Sequence, residues 1–304
     1  MGWRIEFLTG QLLENKAYGH QAVFARYCQR RTEELKVFAR YQHGLVWAPL
    51  WDDSRIRSLV WSDDVLNFHI NAGRSNVYSI GAPIIYHKQQ LQTKNSTLNS
   101  RRTSLFVAPH ATFDSKKSIF DSEEFKKYFP HYNGKDPLGF YVEQCLAQSS
   151  FQPIILLYYK DASDQIIDRF KEFGLKVMTL GDGVFNTQIQ ETYFDKTIDI
   201  LQSSDEIFFC DISTLWVYSG YLRRRIVAMQ DSIFQQNLNI LLSAIGNPSV
   251  EDKNFFDNLV GVKSLRTPEE LLDIFGSSSK KQALKYQLEF VLESGRNLCR
   301  KMMR

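Results

Sequence analysis

The sequence has few cysteines and no long apolar run. Its four cysteines lie far apart, without the paired spacing of a metal site, which favours a reducing compartment. No apolar stretch approaches the roughly 20 residues needed to span a bilayer, and no apolar signal segment follows Met1. A cytoplasmic location is therefore expected.

Several enzyme signatures are missing as well. No Gly-x-Gly-x-x-Gly follows the first strand of the second half, and no Walker-type phosphate loop or Gly-x-Ser-x-Gly elbow occurs. The segment at Asp211 lacks the second aspartate of a haloacid-dehalogenase-like nucleophile motif. These absences argue against the corresponding enzyme classes, and we expect neither a cofactor nor a bound metal.

Composition and charge place the chain among ordinary globular proteins. With 304 residues, 43% hydrophobic and 23% charged, it is long enough for two compact domains or one large one. The net charge of +3 permits an anionic ligand or a membrane surface without requiring either. Nucleic acid is not indicated as a partner.

The first part of the chain is partly helical. Apolar spacing predicts a helix within Ala22–Ala39 and another over Asp63–Asn71, the latter between strand-like runs at Ser58–Trp61 and Val77–Ile80. Residues 88–103 are polar and aperiodic, so we interpret them as a linker. We therefore divide the chain into a short N-terminal lobe over 1–97, a second domain over 98–266 and a helical tail over 267–304.

The second part alternates apolar strands with helices. Buried-looking strands separated by helical segments are typical of a parallel sheet covered on both faces. The fold class is therefore predicted as α/β, with a C-terminal doubly wound parallel-sheet domain. The predicted strands are Leu105–Ala108, Pro153–Tyr159, Leu175–Leu180, Glu206–Cys210 and Ile226–Met229, and the predicted helices are Leu138–Gln148, Gln165–Phe173, Gln188–Gln202 and Leu215–Arg225.

Ligands of such sheets bind beyond the carboxyl ends of the strands, which directs attention to the loops there. The turn Asp211–Thr214 leads from a strand into a helix, so its free N–H groups and the hydroxyls of Ser213 and Thr214 suit an anionic phosphate. An ordinary helix cap explains the same residues.

Two other loops hold candidate binding residues. His110 and Thr112 follow the first strand of the second domain, where the histidine can donate to a phosphate or serve as a capping or surface residue. Gly181, Asp182 and Gly183 let the backbone approach a sugar or base, although a plain turn explains them too.

The N-terminal lobe carries candidates for a general base. His43, Asp52 and Asp53 lie among aromatic residues, a mixture that suits a sugar-binding cleft. Alternatively, the two aspartates cap a helix and His43 occupies a turn with Gly44.

Four short motifs together resemble a known family. Val60-Trp61-Ser62-Asp63, the segment Tyr78–Pro83, the segment Phe106–Thr112 and Asp211-Ile212-Ser213-Thr214 resemble bacterial surface-polysaccharide glycosyltransferases of the GT-B type. This broad group includes CMP-sugar sialyl- and Kdo-transferases and, more distantly, the CDP-glycerol glycerophosphotransferases. The likeness covers roughly residues 43–230. Its departures are an alanine, Ala111, where the family has proline after the histidine, and a short N-terminal half.

The resemblance implies a GT-B-like fold and an inverting, metal-independent transfer of a sugar from a nucleotide-sugar, with a CMP-sugar expected. The acceptor would be a surface polysaccharide or glycolipid, and the resemblance also implies a peripheral position at the inner membrane face or against another glycan-synthesis protein. By the same likeness His110 and the Ser213-Thr214 pair hold the donor phosphate, and His43-Gly44 matches the active-centre His-Gly of the glycerophosphotransferases. A CDP-glycerol-type transferase and a non-catalytic nucleotide- or glycan-binding scaffold are the alternatives.

Overall fold

A computed structural model describes residues 18–35, 37, 39–42, 57–91, 102–110, 117–180 and 192–277. The chain forms two compact units. Unit 1 comprises Met1–Asn95, Phe185–Phe194 and Lys253–Arg304, and unit 2 comprises Ser96–Val184 and Asp195–Asp252. The sequence-based boundaries at residues 97 and 266 stay predictions.

Unit 2 is built on a five-stranded parallel sheet. In chain order its strands are β4 (Thr103–Val107), β5 (Gln152–Tyr158), β6 (Lys176–Leu180), β7 (Glu206–Phe209) and β8 (Arg225–Ala228). Across the sheet the order is β6-β5-β4-β7-β8, and every neighbouring pair is parallel. The first strand in sequence therefore lies at the centre, where the direction of strand addition reverses.

This order explains why the connecting helices cover both faces. Parallel crossovers are almost always right-handed, so connections that run outward from β4 in opposite directions put their helices on opposite faces. The sheet and its flanking helices make unit 2 a Rossmann-like α/β unit. Its helices are α4 (Ser122–Lys126), α5 (Pro137–Gln148), α6 (Asp164–Glu172), α7 (Tyr193–Ser203, which begins in unit 1), α8 (Thr214–Tyr221) and α9 (Phe234–Ala244).

Aromatic side chains fill much of the core of unit 2. Phe106 of β4 and Phe208 of β7 are opposite each other in the register and stack at a centroid distance of 4.3 Å. Phe125 and Phe129 stack at 4.7 Å, and Tyr141 meets both edge-on. Burying rings of this size is a large apolar contribution to folding, which fixes the central strands relative to the helices.

Unit 1 contains a smaller parallel sheet. Its strands are β1 (Arg40–Tyr41), β2 (Ser58–Val60) and β3 (Val77–Ser79), in that order, and its helices are α1 (His20–Tyr27), α2 (Asp63–Asn71), α3 (Pro83–Leu91), α10 (Phe255–Leu259) and α11 (Pro268–Phe275). Ser62 caps α2 by accepting from the Val65 N–H at 3.4 Å. Nowhere in the described ranges is a helix both long and apolar enough to cross a bilayer.

A segment from the C-terminal part of the chain, residues 260–266, covers the carboxyl edge of this smaller sheet. The Ala82 N–H donates to the Val260 carbonyl at 2.8 Å, and the Ser264 hydroxyl donates to Asp63 at 3.2 Å. Arg266 donates through Nη2 to the Ser79 carbonyl at 3.0 Å. Residues 260–266, named the covering segment here, therefore belong to the body of unit 1.

The predicted elements are mostly confirmed, with shifts of one or two residues at most of their ends. The predicted helix Leu215–Arg225 ends four residues early, at Tyr221, and residues 188–191 of the predicted helix Gln188–Gln202 lie outside the described residues. The prediction of α2 over Asp63–Asn71 matches. In the predicted helical tail, α11 begins with a Thr267 cap, a first-turn proline and a capping box with Glu270. Several predictions were wrong. In the described part of Ala22–Ala39 the helix α1 ends at Tyr27 and residues 32–34 form a turn. The predicted linker includes the end of α3 and the start of β4.

Candidate functional site at the reversal of strand order

In unit 2 the order of strands reverses at β4, and the carboxyl ends of β4 and β7 lie side by side there. Val107 pairs with Phe209, so the loops that begin at Ala108 and Cys210 leave the sheet next to each other. In doubly wound sheets this reversal opens a crevice between the two loops, because the chain departs to opposite faces on either side. The residues just past these strands are therefore the candidates for ligand binding.

The helix that follows β7 begins at this crevice. Ser213 is the N-cap of α8, and its Oγ accepts from the Trp216 N–H at 3.3 Å. The Val217 N–H donates to the Ser213 carbonyl at 3.2 Å, which leaves the N–H groups of Thr214 and Leu215 without an intrahelical acceptor. The cap does not use the Ser213 hydroxyl proton, so capping and donation to an anion are compatible.

His110 is exposed just past the end of β4. Its ring lies 5.1 Å from that of Tyr158, which ends the neighbouring strand β5. The Tyr128 hydroxyl donates to the His110 carbonyl oxygen at 3.0 Å. These contacts hold the backbone and one side of the imidazole and leave the ring reachable from solvent.

Asp211 is partly buried directly after β7. Its Oδ1 accepts from the Asn237 amide and from the Ile212 N–H, both at 2.7 Å. Burial raises the pKa of Asp211, while the hydrogen bonds from Asn237 and Ile212 and the positive charge of His110 oppose the increase. Burial also raises the pKa of Tyr128 above its usual value, and the nearby Asp211 carboxylate adds to this.

The motif residues of unit 1 are engaged within that unit. Asp63 accepts hydrogen bonds from the hydroxyls of Ser264 and Ser79. The Trp61 N–H donates to the Gln42 side chain at 2.8 Å. Gly81 contributes its carbonyl to the Tyr41 hydroxyl at 2.7 Å. These residues position the loops after β2 and β3.

The structure therefore brings three of the predicted site residues, His110, Ser213 and Thr214, to adjacent strand ends. The other predicted residues lie outside the described ranges: His43, Asp52, Asp53, Thr112, Gly181, Asp182 and Gly183. Their assignment to the site stays a prediction. The loop after β5 leads to a capped helix start, because the Ser163 hydroxyl accepts from the Ile166 N–H at 3.4 Å at the beginning of α6.

Sequence reasoning missed three residues around the crevice, Tyr128, Tyr158 and Asn237, and it gave no role to the side chain of Asp211. Tyr158 lies in the predicted strand Pro153–Tyr159 and Asp211 follows the predicted strand Glu206–Cys210, so their position was available as a signal. Nothing in the local sequence distinguishes Asn237, which reaches Asp211 from α9. Tyr128 is likewise brought in from the chain after α4.

No protein-family model matches the chain, and no curated protein is significantly similar to it. The likeness to glycosyltransferases therefore depends on the short motifs alone.

Proposed function

We propose that the chain is an inverting glycosyltransferase of the GT-B type that uses a nucleotide-sugar, with a CMP-sugar as the expected donor. The observation that carries the proposal is the parallel pairing of β4 with β7, because the loops that lead to His110 and to the start of α8 then leave the sheet from neighbouring strand ends. Unit 1 also has a parallel sheet, as expected for a two-lobed transferase.

The donor phosphate would lie between the two loops. Its oxygens would accept from the Thr214 and Leu215 N–H groups, from the hydroxyls of Ser213 and Thr214, and from His110. These donors and the positive end of the α8 macrodipole stabilise an anion without requiring a metal ion. The Gly181–Gly183 loop would contact the ribose or base.

In the transfer step, an acceptor hydroxyl attacks the anomeric carbon of the donor sugar. The new bond from that oxygen to the sugar forms as the bond to the phosphate oxygen breaks, and the nucleotide leaves with the electron pair of the broken bond. The hydroxyl proton passes to a base, for which His43, Asp52 and Asp53 are the candidates. The donors around the phosphate stabilise the charge that develops on the leaving nucleotide.

Isothermal titration calorimetry with CMP tests the phosphate site directly. Replacing Ser213 and Thr214 together by alanine removes the hydroxyl donors, and we expect CMP binding to be lost. Ser163→Ala is the matched control, because Ser163 caps α6 by the same kind of bond at 3.4 Å but follows β5 instead of β4 or β7. Unchanged affinity in the double variant would remove Ser213 and Thr214 from the site.

One observation favours a second candidate, a non-catalytic nucleotide- or glycan-binding scaffold of the same fold. The carboxyl edge of the unit 1 sheet is covered by the chain itself, through Val260 and Ser264, instead of being open to an acceptor. A thermal-shift panel of CMP, CDP, UDP and GDP followed by a donor-hydrolysis assay separates the two. Binding without turnover supports the scaffold, and turnover of CDP-glycerol supports a glycerophosphotransferase.

A further inference from the structure

One loop of the crevice, the loop after β4, is held through Tyr128. The Tyr128 hydroxyl donates to the His110 carbonyl at 3.0 Å, and the Tyr128 carbonyl accepts from the Ile233 N–H at 2.9 Å. Ile233 is the N-cap of α9. Two hydrogen bonds in series therefore join the backbone of His110 to the start of α9.

The other loop, which follows β7, is held by the first turn of α9 itself. The Asn237 amide donates to Asp211 Oδ1 at 2.7 Å, and the same oxygen accepts from the Ile212 N–H at 2.7 Å. The ring of Phe234 packs edge-on against that of Trp216 in the first turn of α8, with the centroids 6.0 Å apart. Both loops of the crevice are thereby connected to one helical turn.

The sheet alone does not hold the candidate phosphate donors in place. His110 lies three residues past the end of β4, and Ser213 lies four residues past the end of β7, so both are beyond the paired strands. Hydrogen bonds weaken steeply when their distance or angle departs from the preferred range. Donors that act together on one anion must therefore be fixed before the ligand arrives, which requires support from outside the two loops.

We propose that Tyr128 and Asn237 are positioning residues, which hold the loops of His110 and Ser213-Thr214 at the separation that one phosphate requires. Tyr128 acts through the His110 carbonyl, Asn237 acts through Asp211, and the first turn of α9 is the common anchor. The inference rests on the proposed function for the identity of the ligand, whereas the anchoring is a property of the protein alone.

Calorimetric titration with CMP measures the effect of each support. Tyr128→Phe and Asn237→Leu each remove one hydrogen-bond donor and retain a side chain of similar size. We expect each variant to raise the Kd for CMP about fivefold, which corresponds to the loss of a bond that contributes about 1 kcal/mol. An unchanged Kd in either variant overturns the inference.

The chain offers a matched control for each variant. Tyr132 lies four residues after Tyr128, and its ring packs against Phe125 at 5.2 Å. Asn239 belongs to α9 like Asn237, but its side chain accepts from Gln235 of the same helix at 2.9 Å. Tyr132→Phe and Asn239→Leu should leave the Kd for CMP as it is in the wild type.

A double-mutant cycle separates positioning from a purely structural role. If Tyr128 acts through His110, Tyr128→Phe leaves the Kd of a His110→Ala protein unchanged, because the side chain that it positions is no longer present. A purely structural residue would weaken binding by the same factor in both backgrounds. An equal rise of the Kd in the wild-type and His110→Ala backgrounds therefore overturns the inference.

NMR of the ligand-free protein tests the anchoring to α9. Ile233→Pro removes the N–H that joins α9 to Tyr128, and the φ of −75° at this position suits the proline ring. We expect the amide signal of His110 to shift, although Ile233 lies in neither loop. Asn237→Leu should shift the amide signal of Ile212, which shares the Asp211 oxygen. Unchanged signals at His110 and Ile212 overturn the inference.

The outcomes distinguish this inference from the proposed function. If CMP fails to bind the wild-type protein, the proposed function fails, and the amide signals still decide whether α9 anchors both loops. If CMP binds the wild type and the two variants equally well, the proposed function stands and the positioning role is refuted.

Discussion

Glu206 is a buried carboxylate at the amino-terminal edge of the sheet in unit 2. Its Oε1 accepts from the Ser104 hydroxyl at 2.6 Å and from the Ser150 N–H at 2.9 Å, so it joins β7, β4 and the start of β5. The Arg225 guanidinium lies 3.1 Å from Oε2 as an ion pair but is largely exposed, which weakens its contribution. The hydrogen bonds are therefore the main stabilising contacts of this residue.

Glu206→Ala should lower the free energy of unfolding by roughly 3 kcal/mol, because it leaves the buried Ser104 hydroxyl and the Ser150 N–H without their acceptor. Glu206→Gln retains an acceptor oxygen and should cost about 1 kcal/mol. Urea denaturation followed by circular dichroism measures both. Equal losses in the two variants would contradict this role for Oε1.

His69 of α2 is buried, and within the described residues neither ring nitrogen has a hydrogen-bond partner. Burial, and secondarily the charge of Arg74, lowers its pKa below the usual 6.5. The unfolded chain therefore binds a proton more readily than the folded one. The stability that depends on neutral His69 is therefore fully present above the usual pKa of 6.5, and it decreases as the pH falls below 6.5 towards the lower pKa of the folded state.

His69→Gln should flatten the decline in stability between about pH 7 and pH 5, by at most about 1.4 kcal/mol per pH unit. The urea midpoint measured across this range is the readout. The exposed His131 supplies the comparison, since His131→Gln should leave the decline as it is in the wild type. A decline of wild-type steepness in His69→Gln would show that another group titrates.

At the scale of elements, the covering segment holds the loops of unit 1 through close backbone contact. Gly261 has a φ of 71°, and a Cβ at this position would lie 1.7 Å from the Trp61 carbonyl oxygen. The Tyr27 hydroxyl donates to the Arg266 carbonyl at 3.0 Å, and Arg57 donates to the Ile274 carbonyl at 2.5 Å. The first bond ties the covering segment to α1, and the second ties α11 to the residue before β2.

Gly261→Ala should be more destabilising than Gly73→Ala, although both residues have positive φ. Gly73, with a φ of 80°, has open space around the added methyl group, so its cost is only the left-handed conformation, about 1 kcal/mol. Gly261→Ala adds a clash with backbone and should cost at least about 2 kcal/mol more. Thermal unfolding of the two variants makes the comparison, and equal melting temperatures would refute the close approach.

For the whole molecule, the order of the chain matters because unit 1 is assembled from separate parts of the sequence. The covering segment follows all of unit 2 in the chain, yet it supplies hydrogen bonds to Ala82, Asp63 and Ser79. The first 95 residues therefore do not contain all the contacts of unit 1, because residues 253–304 supply the rest.

Ending the chain after Asp252 should expose the amides of β2, β3 and α2 to hydrogen exchange while β4, β5 and β7 keep their protection. The reason is that the deletion removes bonds of unit 1 and leaves the sheet of unit 2 complete. Exchange measured by mass spectrometry, peptide by peptide, tests this. Retained protection in β2 and β3 would mean that the covering segment is dispensable.

Local pattern was sufficient for most elements of unit 2. Continuous apolar runs such as Leu105–Val107 and Ile207–Phe209 fit strands buried on both faces, and Ser213, Ser163 and Thr267 mark helix starts through their hydroxyls. The prediction of a helix within Ala22–Ala39 failed after Tyr27, because apolar spacing alone does not show where a helix ends and a turn begins.

The sequence by itself determined the α/β class, the alternation of strands and helices, and the presence of donor groups at His110 and Ser213-Thr214. These depend on neighbours in the chain, through side-chain period and capping. Only the tertiary structure decided that β4 lies beside β7, that Asn237 reaches Asp211, and that residues 260–266 cover the sheet of unit 1. Such contacts join residues far apart in sequence, and the packing of the whole core selects them.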